Sequence, residues 1–175
     1  MRSTNKHQTQ RIVYAIAASA ALGLALSSSY ITPALADHPQ FQSATSGIVT
    51  SGSGQGSLTC TFRETGLGNS GFSNIQETCH AAQASATYQC FNNGGNHPQA
   101  GNKEVVTGTV SGQGTFPIRN GQTTGTITVA PPSAGSFSCP GGQHLVLASV
   151  SYSGITLTDS LGTTANLSPV SHSFV

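Results

Sequence analysis

The sequence predicts an all-β domain: a two-sheet antiparallel β-sandwich with immunoglobulin-like or Greek-key character, about seven to nine strands and two disulfides. Three observations carry that expectation. Apolar and polar residues alternate with period two in several segments, the pattern of strands with one face buried and one wet. Gly, Ser, Asn and Pro interrupt these segments at roughly 8–12 residue intervals, as in sandwiches and small barrels. Four cysteines, an even number, lie in the part of the chain that carries the alternation.

Residues 1–36 read as a secretory signal. Arg2, Lys6 and Arg11 precede an apolar run from Ile12 to Leu26, and Ala34-Leu35-Ala36 supplies the small-x-small cleavage pattern. The apolar run is shorter than the roughly 20 residues of a spanning helix. No membrane association is expected after cleavage. Residues 37–45 are expected to be a loose N-terminal arm, and residues 46–159 the sandwich domain. Within it, Leu58, Cys60 and Phe62 alternate with Thr59, Thr61 and Arg63. Ala82, Ala84, Ala86, Tyr88 and Cys90 alternate with Gln83, Ser85, Thr87 and Gln89, although the stretch Ala81–Ala84 could instead make one helical turn. Val105–Val110 is rich in β-branched residues. Asn120-Gly121 is the strongest hairpin signal in the chain and predicts that Thr115–Arg119 pairs with Thr124–Val129. Ala130–Gly135, with Pro131-Pro132, reads as a stiff connection between sheets. Leu145–Tyr152 and Ile155–Thr158 are further strands, and residues 160–175 an edge strand or tail.

Cys60, Cys79, Cys90 and Cys139 are spaced too widely for a zinc site of the C-x-x-C kind and read as two disulfides in an oxidising compartment. The preferred pairing is Cys60–Cys79, across a hairpin of residues 57–63 and 73–79, with Cys90–Cys139 as a longer clamp. The rival is a Cys60–Cys90 bridge between sheets. Tyr88-x-Cys90 has the spacing of the tyrosine corner of immunoglobulin domains, but the chain has no Trp and its cysteines are too close for that family.

Leu58–Phe62, Ala86–Asn92, Asn93–Ala100 with Asn102-Lys103, Pro131-Pro132, Phe137–Pro140 and Leu145–Tyr152 together resemble a group of small exported proteins of actinobacteria and similar soil bacteria. That group is itself without an assigned activity. The resemblance spans residues 58–159. It implies a secreted, disulfide-bonded β domain and carries over no catalytic residue.

Composition narrows function by exclusion. Charged residues make up 6% of the chain, against roughly a quarter in typical domains. After removal of residues 1–36, Arg63, Lys103 and Arg119 stand against Asp37, Glu64, Glu77, Glu104 and Asp159. With no basic patch, neither nucleic acid nor anionic lipid is an expected partner. Glu64 and Glu77, flanking one loop, could in principle supply the carboxylate pair of a glycosidase, but the preferred reading of all five acids is solvated rim charges. No closely spaced Asp run marks a calcium loop. A copper brace needs a mature chain beginning with His. The predicted cleavage leaves Asp37 first and His38 second, one residue off that brace; trimming by one residue would restore it, with His97 or His144 as partner. There is no G-x-S-x-G elbow.

The expectation is therefore a non-enzymatic protein without cofactor, monomeric or weakly self-associating. Its role would be structural, or that of an interaction module for an extracellular or cell-envelope ligand. The alternatives are a carbohydrate-binding domain and a protease-inhibitor-like domain. The candidate binding residues are Asn92, Asn93, Asn96, His97, Gln99, Asn102 and Lys103, whose amides and glycine-rich setting suit a loop that presents hydrogen-bonding groups.

Overall fold

The computed structural model describes residues 38–68, 70–94 and 102–175. The predicted signal segment, residues 1–36, and the candidate residues Asn96, His97 and Gln99 lie outside them. The described residues form eight strands: β1 (Gln40–Ile48), β2 (Leu58–Thr65), β3 (Asn74–Asn92), β4 (Lys103–Pro117), β5 (Gln122–Val129), β6 (Gln143–Asp159), β7 (Thr164–Leu167) and β8 (Val170–Ser173). They make two antiparallel sheets that pack face to face. One is ordered β1-β2-β5. The other is ordered β4-β3-β6-β7, with β8 pairing the other end of β6.

Alternation decides which side of each strand is dry. Leu58, Cys60 and Phe62 of β2 face Cys79, Ala81, Ala84 and Ala86 of β3, with Ile127 and Val129 of β5 and Val150, Tyr152, Ile155 and Leu157 of β6 filling the rest. The core is thin in large side chains, and aromatic edges compensate. Phe62 meets Phe116 edge-on at 5.0 Å and Phe41 at 6.2 Å between centroids, the arrangement the ring quadrupole favours. The hydroxyl of Tyr152, fully buried, donates to Gly56 O at 2.6 Å, so its burial leaves no orphaned polar group.

Several expectations change in detail. Residues 40–45, expected as a loose arm, belong to β1. Ala81–Ala84 makes no helical turn; it lies in β3 at a register shift against β4. Val105–Val110 and Thr115–Pro117 lie in one strand, which ends before Arg119, and Leu145–Tyr152 and Ile155–Thr158 lie in another. The Asn120-Gly121 turn forms as its chemistry requires: both residues have positive φ (51° and 73°), and Arg119 and Gln122 exchange backbone hydrogen bonds of 2.8 and 3.0 Å. The pairing ends there. β4 continues into one sheet and β5 into the other, so the turn is a corner between layers and not the tip of a ladder.

The cysteines pair as Cys60–Cys79 and Cys90–Cys139. The first pair is the preferred one for a reason the sequence reading missed. Residues 57–63 and 73–79 do not form a hairpin; β2 and β3 lie in opposite sheets, and the bridge crosses the core between them, with both cysteines fully buried. The second ties β3 to the strandless segment 130–142, which is also held by Tyr88, whose hydroxyl donates to Pro132 O at 2.7 Å.

Candidate functional site

Two places on the domain gather polar groups in ways that strand geometry explains. The first is the outer face of the larger sheet. Side chains opposite in register share a face, with neighbouring strands about 4.8 Å apart. Thr107 of β4, Ser85 of β3, Ser151 of β6 and Ser171 of β8 form one row. Val105, Thr87, Ser149 and Ser173 form the next. On the other side of the β3 bulge, Ser111, His80, Thr156 and Asn166 form a third, and Gln113, Thr78, Thr158 and Thr164 a fourth. No carboxylate stands in these rows. Lys103, opposite Gln89, marks one end.

Because the central side chains are short, the face is hollowed along its length. Three shallow depressions of about 470, 390 and 290 Å³ adjoin. The first and second share Ser85 and Ser151, and the second and third share Ser149 and Ser173. Together they make a groove running from Gln83 towards Gln89 and Lys103, about 20 Å at the strand rise. Hydroxyl and amide groups able to donate and to accept line it, beside apolar surface from residues such as Ala82, Ala84, Ala148 and Val175. A separate depression of about 500 Å³, lined by His38, Gln40 and the Gly66 and Asn120-Gly121 turns, stands alone at the corner of the sandwich.

The second place is inside. Glu64 and Glu77 are 0% exposed and Asp159 5%, which overturns the expectation of solvated rim charges for these three; Glu104 is exposed as expected, and Asp37 lies outside the described residues. Each sits in the phase of the buried positions of its strand: Glu64 follows Leu58, Cys60 and Phe62, Glu77 precedes Cys79, and Asp159 follows Ile155 and Leu157. Glu77 and Asp159 are register partners, and Glu64 is opposite Thr123, itself 3% exposed. Asp159 Oδ1 accepts backbone N–H groups of Leu161 (2.9 Å) and Thr163 (2.7 Å). As carboxylates, Glu64 and Glu77 have no partner for any of their four oxygens; Asp159 Oδ2 and Thr123 Oγ1 are also buried without one. Burial pushes the Glu64 carboxyl up to about 10, helped by hydrogen bonding to Asp159 and Glu77 and by their charges. Burial raises Glu77 to about 7, against a lowering from its hydrogen bond with Glu64. Both carboxyls are thus pushed up, chiefly by burial, and the contact between them favours a proton shared within the cluster. A fully buried pair is also no glycosidase centre, because no sugar reaches it. Among the described residues, no group of three His, Cys, Asp or Glu is arranged to hold a metal ion.

Of the residues the sequence singled out, Asn92 ends β3 and Lys103 begins β4. Asn93 is exposed, and Asn102 Nδ2 donates to Gln143 Oε1 at 3.3 Å. Among the described candidates, only Lys103 lines the groove. The Ser and Thr residues that form it carried a legible signal, since they are the polar phase of the same alternation that located the core.

Comparison with protein-family models, curated proteins and solved structures finds no match to this chain.

Proposed function

We propose that the chain is an exported, non-catalytic interaction module whose groove on the outer face of the larger sheet binds an extended, uncharged, hydroxyl-rich polymer, a polysaccharide of the cell wall or extracellular matrix. The signal-like residues 1–36 and the two disulfides support export, since disulfides persist in oxidising compartments. The observation that carries the ligand class is the run of adjoining depressions lined by Ser85, Ser149, Ser151, Thr87, Thr107 and Ser173. Hydroxyls and amides match the donors and acceptors of a sugar chain. A carboxylate-free floor offers nothing to a cationic ligand, and a single Lys103 offers little to an anionic one. The groove is open and long, which suits a polymer better than a small molecule, for which enclosed, largely apolar pockets are the rule.

The test is retention on insoluble cellulose, chitin and peptidoglycan, with Ser151→Tyr as the blocking variant. Ser151 is exposed on the outer face, so a bulky ring there fills the groove and leaves the core alone. Binding of the parent chain to one polymer, lost in S151Y with an unchanged far-ultraviolet circular dichroism spectrum, supports the assignment. Failure of the parent to bind any of the three, or equal retention of S151Y, removes it.

A further inference from the structure

We propose that Glu64, Glu77 and Asp159 form a proton-holding cluster between the two sheets, which makes the domain most stable in acid and loosens it as the solution turns alkaline. The argument begins with position. Glu64 comes from one sheet and Glu77 with Asp159 from the other, so the cluster is part of the contact between layers. It lies beside the Cys60–Cys79 bridge, four residues from Cys60 on β2 and two from Cys79 on β3, which holds the acids together while the chain is oxidised.

Among the described residues, no cation balances them. The residues opposite in register are Phe41 on β1, Thr123 on β5 and Gly114 on β4, none of them charged. From the turn after β6, Asp159 receives only the N–H groups of Leu161 and Thr163. Arg63, next to Glu64 in sequence, points to the other face, where its guanidinium donates to Gln122 Oε1 at 2.8 Å. Three carboxylates enclosed without a cation repel one another and lack solvation, so the fully charged state is strongly disfavoured. A proton on Glu64 removes one charge and turns an acceptor into a donor toward its two neighbours. The fold therefore takes up protons that the unfolded chain, with ordinary carboxyls, has already released.

The sign follows from linkage. Glu64 and Glu77 are both raised above their ordinary 4.5. The stability they contribute is complete below 4.5 and falls as pH rises through about 7 and towards about 10. Over that window each proton held only by the folded state costs about a tenfold loss in the folding equilibrium constant per pH unit.

Urea unfolding of the oxidised protein, followed by far-ultraviolet circular dichroism from pH 5 to pH 9, tests this against Glu64→Gln and the double variant E64Q/E77Q. The parent is expected to lose about two factors of ten in folding constant per pH unit up to about pH 7 and about one above it, and the double variant to be nearly flat. A parent whose stability is constant or rises from pH 5 to pH 9 overturns the proposal. So does stabilisation of the parent, but not of E64Q/E77Q, by millimolar calcium at pH 8, which would make the cluster a cation site. If the glutamine variants do not fold, carbon-13 shifts of the Glu carboxyls in the parent decide. Two Glu signals titrating well above the ordinary carboxyl range uphold the cluster, and titration of every Glu near 4.5 ends it.

Discussion

Cutting the Cys90–Cys139 bridge by the paired change Cys90→Ala and Cys139→Ala has a cost that can be worked from the fold. The bridge closes a 49-residue loop. The chain-entropy relation gives about 4 kcal/mol at 25 °C for a loop of that length, and about 3 kcal/mol for the 19-residue loop of Cys60–Cys79. The two losses differ in kind. Removing Cys60–Cys79 takes sulfur out of the fully buried centre and adds a cavity cost. Removing Cys90–Cys139 leaves the sheets paired and frees segment 130–142, which contains no strand and would be held mainly by the Tyr88–Pro132 hydrogen bond. The expected outcome is a C90A/C139A protein with native strand content, lower stability by about 4 kcal/mol, and a new protease-sensitive stretch between Ala130 and Gly142. With no Trp in the chain, urea titration is read by far-ultraviolet circular dichroism, and cleavage by peptide mapping after brief digestion under native conditions. A loss below about 1 kcal/mol, well short of the loop-entropy value, would refute the reasoning. So would digestion that leaves 130–142 intact, since the segment would then be fixed by packing and not by the bridge.

Two core substitutions extend the argument. A methyl group at Gly125 would run into the Phe116 ring, so Gly125→Ala is expected to disturb the Phe62–Phe116 contact and cost about 1–3 kcal/mol by overpacking, measured by the same titration. Tyr152→Phe leaves the Gly56 carbonyl without the donor it has at 2.6 Å and is expected to cost about 1–3 kcal/mol; a loss within error would show that water replaces the hydroxyl.

The fold was legible wherever the signal was local. Period two placed Leu58, Cys60 and Phe62 inward, and the Asn-Gly pair made its turn. What the sequence could not supply was the partner of each strand. Asn120-Gly121 dictates a reversal within four residues, but whether the arms stay together depends on which layer has room, and here Phe116 on one arm needs the gap left by Gly125 on the other. The same limit applies to the sulfurs: Cys60 and Cys79 come together across the core, a distance in space that no spacing in the chain records. The candidate loop was chosen for amide and glycine content, and the groove went unread because Ser and Thr in the polar phase of a strand look like ordinary wet residues until four strands are laid side by side. The acids were a different kind of miss. Their phase in the strands points inward, against the general rule that Asp and Glu stay exposed.

The inward acids and the neutral groove are two sides of one arrangement. A strand has only two faces, so an acid placed in the buried phase is one withheld from the surface. On β3 and β6, Glu77 and Asp159 face in, while Thr78, Ser85, Thr87, Ser149, Ser151 and Thr158 face out. On β2, Glu64 faces in while Thr59 and Thr61 face out. Had Glu77 and Asp159 been one residue out of phase, they would stand on the outer face of the larger sheet beside Thr78 and Thr158, and Glu64 would face out from the other sheet. The present phase keeps a long hydrogen-bonding surface free of carboxylates and holds the displaced charge inside as protonated acid. The register of β3 against β6 thus sets both which acids meet inside, Glu77 with Asp159, and which hydroxyls line up outside, Ser85 with Ser151.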